Sequence, residues 1–69
     1  LLARDQLQAV ILAAVDDLQE DLRTALMLRE FDGLSYEEIA EIMACPVGTV
    51  RSRIFRARET IEKKMAQMG

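Results

Sequence analysis

Sixty-nine residues with 51% hydrophobic and 30% charged side chains describe one small globular domain, near the lower size at which a hydrophobic core holds without staples. A single cysteine, Cys45, and no histidine exclude an internal disulfide, a cysteine-based zinc site and the usual nucleophile–base pairs, so the chain reads as a cytoplasmic binding module: no enzyme, no cofactor, no small-molecule substrate. The net charge of −3 hides a division, because residues 46–69 carry six basic side chains against two acidic ones, and residues 1–45 three basic against ten acidic.

The start LLARDQ lacks Met and any charged-then-apolar leader, and reads as a cut from something longer. Leu7, Val10, Ile11, Ala14, Val15 and Leu18 then follow the three-four spacing of one helix face, which predicts a first helix over about Ala3 to Asp17. Its AVILAAV run is only about a third of the ~20 residues a membrane span needs, so no membrane insertion is expected. Glu20 and Asp21 suit the start of a second helix, which continues through Leu22, Ala25, Leu26 and Met27 and stops at Gly33. Gly33 fits the left-handed position after a helix, with Leu34 packing back on Leu28.

The third start signal is the strongest. In LSYEEIAEIM, Ser35 can cap the N–H of Glu38 while Glu38 reaches back, and Leu34 and Ile39 form a hydrophobic staple, giving a helix over Tyr36 to Met43. Pro46 disfavours helical geometry at Cys45 and suits the first residue of a fourth helix, which runs to about Lys64 or a little further and frays toward Gly69. The expected fold is all-α: a four-helix domain ending in a helix-turn-helix over about residues 35–62, winged-helix-like in class but without a wing.

On the last helix Val50, Ile54, Ala57 and Ile61 form an inward apolar stripe, with Ala40 as the small residue at the close contact with the third helix. The opposite face holds Arg51, Ser52, Phe55 and Arg56, flanked by Thr49 and Arg53. These are groups a major groove can use, since arginine pairs with guanine O6 and N7 and a phenyl ring meets a thymine methyl. An arginine-rich face is also commonly plain solvated surface, but an outward phenylalanine has no core purpose there. Arg58 lies a turn further on, where pairing with Glu62 is the simpler expectation. Glu37, Glu38 and Glu41 read as a solvated face, and Met27, Met43, Met65 and Met68 as core or frayed-end positions.

The run LQEDLRTALMLREFDGLSYEEIAEIMACPVGTVRSRIFRARE resembles region four, the C-terminal promoter-binding domain, of bacterial sigma factors of the extracytoplasmic-function group, in the sigma-E and AlgU-like branch. The resemblance covers about Leu18 to Ile61 and implies recognition of the −35 promoter element in transcription initiation at stress-type promoters. It implies docking on the flap of the RNA polymerase core and an anti-sigma factor as a further partner. Nothing in the chain resembles region two, the domain that melts DNA, so recognition without opening is expected. Carried over by residue, it places Arg51, Ser52, Phe55 and Arg56 at base edges, and Arg29, Tyr36, Thr49 and Arg53 near phosphates. Tyr36 reads equally as a cap-region residue packing on the second helix. Gln19 stands where the family often has Pro. Ala44 stands where many such turns have Gly, costing about 1 kcal/mol if it is left-handed. Cys45 stands where relatives have a capping Ser or Asp, and reads as a weakly polar cap. Two rivals remain: the helix-turn-helix output domain of a response regulator, and a helical module that binds only protein, such as an anti-sigma factor.

Overall fold

Among the described residues four helices form, joined by short turns: α1 (Arg4–Asp16), α2 (Glu20–Glu30), α3 (Tyr36–Met43) and α4 (Val47–Met68). The computed structural model describes residues 3–68. Leu1, Leu2, Gly69 and the side chain of Met68 lie outside the described residues, and so do the expectations for the first two residues and for fraying at Gly69. Among the described residues there is no strand and hence no wing. Among these same described residues no helix is long and apolar enough to cross a membrane.

The helix ends follow from local chemistry. Ser35 Oγ accepts from the Glu38 N–H at 3.1 Å and Glu38 Oε1 accepts from the Ser35 N–H at 2.9 Å, closing the reciprocal cap at the start of α3. The Ser35 backbone N–H, and after it the Ser35 hydroxyl, hold the Glu38 carboxyl below the usual glutamate range. Gly33 sits at φ +67° after α2, and the Leu34 N–H donates to the Leu28 carbonyl at 3.1 Å, with both side chains half-buried against the core. Gln19 precedes α2 in extended geometry and makes no side-chain cap.

Several expected bounds shift. Pro46 precedes α4 rather than opening it: its carbonyl accepts from the N–H groups of Thr49 and Val50 at 3.0 and 3.2 Å, the role of the residue outside the first turn. The other end of α4 agrees with the expected bound, a little past Lys64 at Met68, with the Lys64 ammonium 2.9 Å from Asp17 Oδ2 beyond the end of α1. Leu18 is buried as expected but lies in the turn after α1, while Leu7 is exposed at the outer end of that helix. Met27 is exposed rather than core, and Met43 and Met65 are half-buried.

The core consists of Ala14, Val15, Leu18, Ala25, Leu26, Ile39, Ala40, Val50, Ile54 and Ala57. Among the described residues no polar side chain is buried, so the core asks for no internal hydrogen bonds. Helix α4 packs on all three others and is the spine of the domain. Its 22 residues span roughly 33 Å at 1.5 Å per residue. That length accounts for the elongated 39 × 19 × 15 Å envelope.

Candidate nucleic-acid interface

The turn between α3 and α4 sets how the last helix is presented. Ala44 closes α3 in the left-handed region at φ 53°, ψ 49°. Its N–H donates to the Glu41 carbonyl at 3.3 Å and the Cys45 N–H donates to the Ala40 carbonyl at 3.1 Å, so two end carbonyls of α3 are satisfied inside the turn. Alanine pays about 1 kcal/mol for that conformation relative to glycine. From this turn α4 leaves with Val50 and Ala57 fully buried and Ile54 1% exposed against α3 and α2. The small Ala40, itself buried, is part of the same cluster.

Burying that stripe forces the opposite one outward. Arg51, Ser52, Phe55 and Arg56 are all exposed, Phe55 at 66%. Tyr36 at the start of α3 stands beside them, and its ring lines an open groove of about 490 Å³ with Arg51, Ser52, Phe55, Arg56 and Arg58. The Arg51 guanidinium carbon lies 5.7 Å from the centre of the Tyr36 ring. That of Arg29 lies 4.8 Å from the same ring, and Arg29 Nη1 donates to the Leu34 carbonyl at 2.9 Å. Tyr36 therefore does pack against α2, through Arg29, as well as facing the groove. A second cleft, lined by Gly48, Thr49, Ser52, Arg53 and Arg56, shares Ser52 and Arg56 with the first. Seven of the eight candidate residues thus line the two joined clefts, and Arg29 meets them only through the Tyr36 ring.

Two of the arginines are held differently from expectation. Arg53 is half-buried: Nη1 donates to Cys45 Sγ at 3.7 Å and Nη2 lies 3.7 Å from Asp21 Oδ2 at the start of α2. Cys45 consequently does not cap the α4 backbone; one residue before Pro46 it is too early for that, and its sulfur takes Arg53 instead. Arg58 pairs with Glu30 at the end of α2, not with Glu62: its Nε donates to Glu30 Oε1 at 3.1 Å and Nη2 contacts the same oxygen. Hydrogen bonding to Glu30 pushes the Arg58 guanidinium further up from its ordinary value. Packing of α4 across α2 brings Glu30 within reach, an encounter that spacing along one helix does not reveal. Arg58 still lines the groove. The steps 51, 55 and 58 repeat one helical face, and that spacing was the available signal.

A second surface escaped the sequence altogether. Phe31, 61% exposed just past α2, borders an apolar groove of about 280 Å³ with Ile11, Val15, Leu26 and Ile61. Arg58 and Glu30 line it too, so the same ion pair stands between the two grooves. No sequence signal marked it, because it is assembled from three helices.

A helix-turn-helix with a basic, partly aromatic outer face matches a family model over residues 3–61, the one described as sigma-70, region 4. The chain belongs to the sigma-70 region 4 family. It is 64% identical over 62 residues to the RNA polymerase sigma-H factor of Pseudomonas aeruginosa, covering 90% of this chain and 32% of that protein. It is 60% identical over 65 residues to the ECF RNA polymerase sigma-E factors of Salmonella typhimurium and Escherichia coli, covering 94% of this chain and 34% of theirs. The chain thus spans about a third of the length of the curated relatives it matches. For a region 4 domain, the helix-turn-helix is α3, the turn at Ala44 and α4, and the family match runs through Ile61, the last apolar residue of the α4 stripe.

Proposed function

We propose that this chain binds duplex promoter DNA at the −35 element as the recognition domain of a sigma factor, working in the cytoplasm with the RNA polymerase core and without catalytic chemistry of its own. The observation that carries the reading is the forced exposure of one α4 stripe, Arg51, Ser52, Phe55 and Arg56, opposite a fully buried one. Such a helix enters a major groove with the outer residues at base edges. Arg51 and Arg56 pair with guanines, Ser52 adapts, and Phe55 meets a thymine methyl. Thr49 and Arg53, around the cleft at the start of α4, take phosphates, with Tyr36 and Arg29 making backbone contacts on the far side. Phosphate contacts fix register while base contacts specify.

The apolar groove beside Phe31 is the surface we assign to the polymerase flap, since it lies on α1, α2 and the later part of α4, leaving the outer α4 face for DNA. An anti-sigma factor would compete by covering either face. Family membership leaves the response-regulator reading without support. A selection of random duplexes with this chain, repeated at two salt concentrations, tests the proposal: enrichment of one short motif, weakening as salt rises, is expected. Salt-dependent binding with no enriched motif would remove sequence recognition.

A further inference from the structure

We infer that Tyr36 is a positioning residue for base readout, its ring holding the Arg51 guanidinium in place and so setting sequence preference at the base pair that Arg51 reads. The inference rests on the proposed base-contacting role of the outer α4 face and adds a residue of another helix to it.

Arg51 and Arg56 are both exposed on that face, yet their surroundings differ. Among the described residues neither side chain makes a hydrogen bond or ion pair within the domain, but Arg51 lies 5.7 Å from the centre of the Tyr36 ring, within the reach of a cation–π contact. Among the described residues Arg56 has no such aromatic partner. A long arginine must surrender rotamer freedom when it pairs with a base, and one already resting on an aromatic ring in the free protein has surrendered part of it. The ring is itself secured. Tyr36 is the first residue of α3, two positions beyond Leu34, whose carbonyl accepts from Arg29, and the Arg29 guanidinium carbon is 4.8 Å from the ring centre. The end of α2, the start of α3 and the reading face of α4 are thus linked through one side chain. The hydroxyl of Tyr36 has no part in this link, so the ring's role is separable from a phosphate contact by that hydroxyl.

The test uses the same duplex selection on the parent, Tyr36→Phe, Tyr36→Leu, Arg51→Ala, Arg56→Ala and the Tyr36→Leu/Arg51→Ala double variant, with proton NMR of the DNA-free proteins. Arg51→Ala locates its base position. Tyr36→Phe should keep the preference there, and Tyr36→Leu should reduce it about two- to fivefold, the worth of an exposed cation–π contact. The position lost in Arg56→Ala should be unaffected by either Tyr36 change. In the double variant the Tyr36→Leu effect at that position should vanish. Without DNA, the side-chain protons of Arg51 should be shifted upfield by the ring in the parent and in Tyr36→Phe, and return in Tyr36→Leu. An unshifted Arg51 in the parent overturns the inference, even if Tyr36→Leu proves unfolded. So does a Tyr36→Leu variant that keeps full preference, or that weakens all sequences alike. A parent with shifted Arg51 protons but no preferred sequence would instead bring down the proposed function, and the inference with it.

Discussion

The two faces of α4 between Val50 and Arg58 have nearly the same length and the same backbone, and opposite duties. On one, Val50, Ile54 and Ala57 are sealed against α2 and α3; on the other, Arg51, Ser52, Phe55 and Arg56 stand in solvent. Phe55 is the instructive member, because it is adjacent to Ile54 and equally apolar, yet 66% exposed where Ile54 is 1% exposed. Residue type does not separate them. A step of 100° around the helix does, and it divides what stabilises the domain from what is available to a partner.

The sharpest way to break this comparison is to truncate the inner face. Ile54→Ala removes a fully buried aliphatic group and should cost about 2 to 5 kcal/mol in thermal or urea unfolding, enough to unfold much of so small a domain. A variant that melts like the parent would mean that α4 is turned the wrong way.

On the outer face the same truncation should spare the fold and weaken binding. Phe55→Ala should leave the melting temperature nearly unchanged, and replacing the contacted thymine by uracil should weaken the parent but hardly the variant. Arg56→Ala should lose about 1 to 3 kcal/mol of binding to the selected motif and flatten one position in it. Equal loss on selected and scrambled duplexes would move Arg56 to a phosphate.

Ala44 sharpens the comparison from the turn that orients both faces. Ala44→Gly relieves the left-handed strain at φ 53° and should stabilise the domain by roughly 0.5 to 1 kcal/mol without altering the selected motif. A change in motif would show that turn geometry, not only side chains, sets the reading face.

The smallest effect belongs to the start of α3. Because the Glu38 carboxyl is held below its ordinary value of 4.5, the folded state favours its ionised form, and this stabilisation is present above that pH and lost as the pH falls through the depressed value. Glu38→Gln keeps the reciprocal cap without the titration. Urea midpoints of parent and variant should therefore converge as the pH falls below 4.5, and parallel curves would remove Glu38 from the acid response.

How much of this was legible depended on the range of the interaction. The cap at Ser35 and Glu38, the stop at Gly33 and the inward run Val50, Ile54, Ala57 were readable because each is a relation among residues within a few turns of one another. The outward stripe was legible for the same reason. The partner of Arg58 was not. Spacing along α4 offered Glu62, and only the crossing of α2 supplied Glu30. Arg53 is similar, since its ties to Asp21 and Cys45 join the α3–α4 turn to the start of α2.

By itself, then, the sequence determined the number and type of the helices, the turn that joins the last two, the side of α4 that is buried and, through close similarity, the family. Tertiary structure decided what no periodicity encodes: the Tyr36 ring between α2 and α4, the Glu30–Arg58 pair between the two grooves, and the apolar groove beside Phe31. The physical reason is that hydrogen bonds within a helix and apolar repeats act over a few residues of chain. A guanidinium finds its partner through space, and which partner is near it depends on how whole helices cross.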